Sequence, residues 1–431
     1  MTQKKINIRV PVLARVEGEG ALELDIENKQ ITHLKLNIFE PPRLFEKLLE
    51  GRHYSEVPDI VARICGICPV AYQMSAVHAF ESLFDTRVSS WVNEMRRLFY
   101  CGEWIESHAL HIHLLAAPDF LGYESAPAMA KKYPKEVKRG VEIQNLGNEI
   151  VRLLGGRSVH PVGVKVGGFH HAPKIDDVKT LLVKLEKKLP EVEEMLRWCS
   201  TLTLPDIEQE FVSVSLRDEK TYPMNTGNVV SGEGLNLPVE QYQTVFKEHH
   251  EPHSTALFSL MNGEPYLVGP LARLNLNFDI LPDEIKTIIN ECDISFPSKN
   301  MYHSMFARAV ELLYTFHESI RILKAYAIPD VPYSNVNVKA GIAYGCTEAP
   351  RGVLWHRYEV DEDGLIKSAT ITPPTSQNQA RMEEDLRNAL TLSGLDRKED
   401  DIRFQAEQII RNYDPCISCA THFLDLRINH K

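Results

Sequence analysis

No apolar run in these 431 residues approaches the roughly 20 that a membrane-crossing helix needs. The sequence therefore offers no direct membrane span. Positive charge is in deficit. Lys and Arg number 48 against 59 Asp and Glu, a formal net charge of −11. That balance argues against nucleic acid, or an anionic membrane surface, as the main partner. The start, Met1-Thr-Gln-Lys-Lys-Ile-Asn-Ile8, leads into a strand-like run instead of the apolar core of a signal peptide, so a cytoplasmic location is expected. No Gly-x-Gly-x-x-Gly opens a βαβ unit, and there is no P-loop. Internal repeats, low-complexity tracts and linkers are also missing, and proline is spread along the chain.

Cysteine is scarce: eight residues, at 65, 68, 101, 199, 292, 346, 416 and 419. A disulfide framework is not expected in so long a chain without a signal peptide. Cys101 and Cys199 sit in helical patterns and read as core residues. Cys292 and Cys346 lie in less regular segments and suggest no role. What remains is two C-x-x-C pairs, Cys65/Cys68 near the start and Cys416/Cys419 near the end. Together they supply four thiolates, enough to close a soft-metal site. Closing so long a loop costs entropy that grows only with the logarithm of its length. The spacing alone leaves a structural zinc staple and a redox-active metal site equally open.

The pattern along the chain is mostly helical. Asn7–Val12 reads as a strand, and Ala21–Glu27 with Ile31–Phe39 as a hairpin. A short helix fits Arg43–Glu50, and another follows Cys68 to about Phe84. Helical spacing recurs at Val92–Leu115, Val137–Leu154, Val178–Leu202 (interrupted by Pro190), Met301–Ala327, Asn378–Leu392 and Asp400–Arg411. Phe211–Leu216 alternates like a strand. A second hairpin fits Val360–Thr370, turning at Asp361–Gly364. His108, His111 and His113 read as hydrogen-bonded core residues, and His249, His250 and His253 as a solvated loop. Because the two cysteine pairs must meet, residues 1–431 are expected to form a single domain. It is mainly α, with a core of long helices and small peripheral β hairpins.

The flanking residues go further. Arg63-Ile-Cys65-Gly-Ile-Cys68-Pro and Asp414-Pro-Cys416-Ile-Ser-Cys419-Ala-Thr-His422 resemble the two cysteine motifs of nickel–iron hydrogenase large subunits. Arg15-Val-Glu17-Gly, Glu348-Ala-Pro350-Arg351-Gly and Pro374-Thr375-Ser resemble three further motifs of that family, in order. The resemblance spans nearly the whole chain and implies the same helical-core fold. It implies reversible heterolytic cleavage of dihydrogen at a nickel–iron centre whose iron carries carbon monoxide and cyanide. Cys65 and Cys416 would be terminal nickel ligands, and Cys68 and Cys419 would bridge the metals. Cys416 would take the proton and Glu17 would relay it. Arg351, on a turn fixed by Pro350, would face the open metal position, oriented by Asp414. Thr375 would donate its hydroxyl to a cyanide. Glu46, with Glu40 as the alternative, and His422 would hold a second metal, Mg2+ or Fe2+.

Each of these residues also has a plainer role open to it. Glu17 could be an acid at a hairpin edge, Arg351 a solvated turn residue, Thr375 a turn residue after Pro373-Pro374, and Glu46 a solvated helix residue. Two positions depart from the family pattern. Tyr72 stands where many members have histidine, and Ser107 stands where many have an acid before the histidine helix. If that acid normally pairs with the arginine, only Asp414 is left to do so. Both departures resemble the cytoplasmic, cofactor-coupled group, NAD(P)-linked or sulfhydrogenase-like.

No further cysteine cluster could hold an iron–sulfur centre, so electrons must leave through another polypeptide. The resemblance implies a small subunit bearing iron–sulfur clusters, then a flavin- and NAD(P)-binding diaphorase module. It also implies a maturation protease and chaperone, with cleavage after His422 removing Phe423–Lys431. The competing functions are a non-catalytic quinone-site subunit of a complex I-like assembly and a zinc-stapled scaffold.

Overall fold

The computed structural model describes residues 5–421. It begins with a three-stranded antiparallel sheet, β1 (Lys5–Val10), β2 (Gly20–Glu27) and β3 (Gln30–Ile38), in that order. Strict alternation makes the sheet one-sided: Ile6, Ile8, Val10, Leu22, Leu24, Ile26, Leu34, Leu36 and Ile38 all face inward. Seven helices of at least fifteen residues follow among the described residues. They are α1 (Pro69–Leu83), α2 (Ser90–Leu110), α3 (Pro134–Gly155), α4 (Ile175–Ser200), α5 (His303–Lys324), α6 (Pro374–Leu392) and α7 (Glu399–Tyr413). A second antiparallel sheet, β4 (Gly341–Ala349), β5 (Gly352–Val360) and β6 (Ile366–Thr372), lies between α5 and α6. The architecture is mainly α.

The helix ends follow from the sequence. Pro69 and Pro134 sit in the first turns of α1 and α3, where a missing N–H costs nothing. The Ser89 hydroxyl accepts from Val92 N to start α2. Gly156 ends α3 in the left-handed conformation. Asp414 ends α7 in the same region (φ 57°), ahead of Pro415, so the chain turns abruptly into Cys416.

Two packing events position the site. The apolar face of the first sheet lies on Leu386, Leu390, Ile402, Ala406, Ile409 and Ile417, which brings the start of the chain to its end. The second sheet lies on α1 so closely that a Cβ on Gly345 would stand 2.0 Å from Ser75 O. That contact carries the β4–β5 turn, Pro350-Arg351, to the N-terminus of α1, where Cys68 is.

Several expectations need correction. Pro190 does not interrupt α4, which runs unbroken from Ile175 to Ser200. Pro190 is exposed, so water can serve the carbonyl its ring leaves unbonded. The Val360–Thr370 hairpin is the outer part of a three-stranded sheet whose first strand, β4, has no alternation because most of its residues are buried. His249 and His250 belong to a strand, Phe246–His250, paired with Leu257–Met261, instead of a loop. The helix expected to reach Leu115 widens at His111 into a π-helical turn ending at Ala116.

α2 and α3 cross at paired glycines. A Cβ on Gly147 would meet Glu106 N at 2.5 Å and Gly102 O at 2.6 Å, both rigid backbone. Gly147→Ala is therefore expected to cost about 1–3 kcal/mol of stability through overpacking. Chemical denaturation of the two chains measures it, and an unchanged midpoint would contradict the close crossing.

Candidate metal centre

The four motif cysteines meet. Cys65 Sγ lies 3.4 Å from Cys416 Sγ, and Cys68 Sγ 3.6 Å from Cys419 Sγ. All four sulfurs fall within 4.8 Å of one another and are buried. All four cysteines are free, and their separations far exceed the ~2.05 Å of a disulfide. Cys65 and Cys68 stand on the loop entering α1, and Cys65 Sγ accepts from Ile67 N (3.3 Å) and Cys68 N (3.2 Å). Cys416 follows the left-handed Asp414, and its N–H donates to Thr375 Oγ1 (3.0 Å) at the start of α6.

Their electrostatics are collective. Burial raises a thiol, yet Cys65 is held well below the usual value by hydrogen bonds from Cys416, Cys419 and Cys68 and by Arg351. Burial and the neighbouring sulfurs push Cys416 up, and burial with Cys65 pushes Cys419 up against Cys416 and Cys68.

Arg351 supplies the counter-charge. It is buried, not a solvated turn residue. Its Nε donates to Asp414 O (2.6 Å) and its Nη2 to Asp414 Oδ1 (3.0 Å). Its Nη1 is buried with no hydrogen-bond partner among the described residues. Burial opposes its charge, but Asp414, Cys416, Cys68 and Cys65 raise its pKa far above the usual value.

Glu17 is knitted to the second cysteine pair. Its carbonyl accepts from Ile417 N (3.0 Å), and its carboxylate accepts from Ser418 N (3.1 Å) and Ser418 Oγ (2.5 Å). Burial and the nearby Cys65 raise its pKa, against hydrogen bonding from Ser418 and Cys416. The same Ser418 hydroxyl lies 2.7 Å from Glu40 Oε1, toward the surface. The Glu46 carboxylate accepts from Ile371 N (2.7 Å) on β6. His422 lies outside the described residues.

Other site residues escaped the sequence reading. Asp119 accepts from Arg15 Nη2 (2.5 Å) and from Arg411 Nε and Nη2 (2.7 and 3.0 Å). It therefore ties the segment bearing Glu17 to the helix that delivers Asp414 and Cys416. The buried Glu103 accepts from Val70 N (2.6 Å) and Ala71 N (3.1 Å), capping α1 just past Cys68. Glu106, one position before Ser107, is also buried. Burial and Cys65 raise its pKa and Arg351 opposes them, while the ion pair of Arg351 among the described residues is with Asp414. Two acids in an otherwise apolar helical pattern, Glu103 and Glu106, were the available signal. The tyrosine at the histidine position, Tyr72, is buried, its pKa raised by burial and by Cys419 and Cys68.

The profile of the nickel-dependent hydrogenases matches residues 43–142 and 260–422. The chain belongs to that family. It is a hydrogenase large subunit, an oxidoreductase of the dihydrogen-cleaving class. It is 34% identical to sulfhydrogenase 2 subunit alpha of Pyrococcus furiosus over 97% of this chain and 100% of that one. It is 26% identical to the beta subunit of the NAD-reducing hydrogenase HoxS of Cupriavidus necator, over 96% and 94%. An NAD+-reducing [NiFe]-hydrogenase crystallised in its H2-reduced state superposes with a TM-score of 0.88 at 25% identity, over 97% and 99% of the two chains. Nickel dependence sets aside the zinc scaffold and the metal-free quinone-site subunit. The donor set agrees: four sulfurs beside a buried cation with one unpaired nitrogen suit an anionic, redox-active centre, whereas a zinc staple needs no such cation.

The clamp at Asp119 has a consequence for this hydrogenase. Asp119→Asn keeps the shape but leaves Arg15 and Arg411 undercompensated in a buried place. Stability is expected to fall by about 3–5 kcal/mol. Equilibrium unfolding checks this, and a loss of only a few tenths would mean that solvent reaches the pair.

Proposed function

We propose that this chain is the catalytic subunit of a cytoplasmic, NAD(P)-linked nickel–iron hydrogenase, folded as one unit over residues 1–431. The observation that carries the assignment is the four-sulfur cluster beside the unpaired Nη1 of Arg351. Cys65, Cys68, Cys416 and Cys419 would together hold the nickel–iron centre, whose iron would carry carbon monoxide and cyanide. When bound, that centre supplies the Lewis acid that polarises dihydrogen for heterolytic cleavage. Everything else is done by the chain. Cys416, whose backbone bridges to that of Glu17, is the base that takes the proton. Glu17, raised by burial, receives it and passes it through the Ser418 hydroxyl to Glu40. A hydroxyl can give one proton while accepting another, so Ser418 suits the middle of a relay.

Arg351 contributes a fixed cation aimed at the cluster, with Asp414 setting its plane and Pro350 restricting the turn. Thr375 already accepts from Cys416 N, so its own proton is free to be given to a cyanide. Glu46 and His422 are proposed for the second metal, Mg2+ or Fe2+, and the mature chain is proposed to end at His422 after the action of a maturation protease and chaperone. Electrons are proposed to pass to a small subunit with iron–sulfur clusters and on to a flavin- and NAD(P)-binding module. The names of the HoxS relative and of the superposed NAD+-reducing enzyme support that route, and the sulfhydrogenase relatives make sulfur the other acceptor to assay.

Metal analysis of the purified complex should find nickel together with iron, and hydrogen-dependent reduction should be seen with NADP+ or NAD+. Zinc alone would end the proposal. Glu17→Gln should lower dihydrogen/deuterium exchange with solvent by about 100-fold or more while nickel and iron content stay unchanged. Exchange at the unaltered rate would remove Glu17 from the relay. Ser418→Ala should slow exchange by a smaller factor, since water can replace a hydroxyl. An effect equal to that of Glu17→Gln would show that no water enters.

A further inference from the structure

We propose that Arg273, on the helix Pro270–Asn277, is the positioning residue that fixes Arg351 at the sulfur cluster. No motif contains it. Its guanidinium is fully buried, and a guanidinium has five N–H groups. Each has an acceptor. Nε and Nη2 donate to the two oxygens of Glu311, both at 2.8 Å. Nη1 donates to Glu348 Oε2 (2.9 Å) and Ala349 O (2.8 Å), and Nη2 also donates to Pro350 O (2.8 Å). The last two acceptors are the carbonyls immediately before Arg351. Ala349 and Gly352 form the final pair of the β4–β5 ladder, so Pro350 and Arg351 stand outside it. Without Arg273 these carbonyls would be buried polar groups with one tie fewer.

The anchor is itself held. Tyr222 donates to Glu311 Oε1 (2.8 Å), and His108 Nε2 lies 2.9 Å from Glu311 Oε2. Glu348 Oε1 accepts from Leu216 N (2.7 Å), and Trp104 Nε1 donates to Glu348 O (3.2 Å). The Trp104 ring lies 4.2 Å from the Arg273 guanidinium carbon. A second contact comes from Gly269, which precedes this helix with φ 115°. A Cβ there would stand 2.9 Å from Arg351 O, so the helix start abuts the turn directly. Arg351 is thus held at its head by Asp414, from the end of α7, and at its backbone by Arg273. A cation whose task is to face one metal position depends on both, because a displacement of about 1 Å can cost about 100-fold in rate. Lysine at 273 would keep the charge opposite Glu311 and Glu348. Its three donors on one nitrogen cannot span two carboxylates and two carbonyls.

The proposal rests on the hydrogenase reading, and its test separates the two. Arg273→Lys, Arg351→Lys and the double variant are assayed for dihydrogen oxidation in the intact complex, with KM, kcat and metal content for each. Arg273→Lys alone should lower kcat roughly 10- to 100-fold with KM and metal content little changed. In the Arg351→Lys background it should cost less than about two-fold, because it acts through a group already gone. Equal fold losses in both backgrounds, or no loss in either, would overturn the proposal. If Arg273→Lys does not fold, Glu311→Gln, which keeps the volume and releases the anchor, is run through the same cycle with the same expectations. A metal-independent measurement stands beside these. Amide hydrogen exchange at residues 349–352 of the metal-free chain should quicken in the variant, while Cys416 and Ile417 are unaffected. Unchanged exchange at 349–352 would equally overturn the proposal, even if wild-type enzyme oxidises no dihydrogen.

Discussion

Four sulfurs within 4.8 Å of one another, shielded from water, are the constraint that orders the rest of this protein. Arg351 is the buried cation that favours negative charge on them. A buried cation needs its own anion, so Asp414 follows, and it must stand in the residues leading into Cys416. The left-handed turn at Asp414 meets this need. It ends α7, puts the carboxylate beside Arg351 and lets its carbonyl accept from Arg351 Nε. Charge at the centre therefore dictates backbone conformation at the helix end.

Holding the two ends of the chain together is the second demand, and apolar packing does most of it. The first sheet offers one continuous apolar face, and α6 and α7 offer another. Burial of this kind is strong but not directional. Register comes from polar contacts: the bond from Ile417 N to Glu17 O, Arg43 N donating to Thr421 O (2.8 Å), and Asp119 between Arg15 and Arg411. Arg15 adopts a left-handed conformation (φ 61°), an uncommon state for a bulky residue that its bonds to Asp119 and Leu115 O hold in place.

Local signals made the first sheet, α1, α2, α3, α5, α6 and α7 legible, because one-sided alternation and helical spacing need no knowledge of partners. β4 was not legible: buried on both faces, it loses the alternation that marks a strand. Pro190 misled because the rule against proline in a helix assumes that the orphaned carbonyl has no water. At the site, the cysteines and their flanking motifs stood out as short contiguous patterns. Asp119, Glu103, Arg273 and Ser418 did not, since each works through a partner far away in sequence. The sequence also suggested that Ser107 left Arg351 with Asp414 alone. The ion pair of Arg351 among the described residues is indeed with Asp414, and the buried Glu106 beside Ser107 acts on the arginine only through its field.

The interior is populated by arginines that a purely apolar core would not carry. Arg96, Arg273, Arg308 and Arg351 are all buried. Arg96 pairs with Glu81 through both nitrogens, at 2.6 and 2.5 Å. Arg308 donates to Asn412 O and Tyr413 O, the last carbonyls of α7, at 3.2 and 3.1 Å, where the helix dipole favours a cation. Such groups add little net stability, because desolvation consumes most of the attraction. What they add is direction. An apolar contact tolerates a slide of an ångström, whereas a bidentate guanidinium bond does not. Arg308, from α5, holds the carbonyls of Asn412 and Tyr413, and Arg351, from the β4–β5 turn, holds Asp414. The segment Asn412–Cys416 is consequently fixed by oriented bonds from two elements, and a segment fixed in that way can present Cys416 to a metal without waiting for the metal to order it.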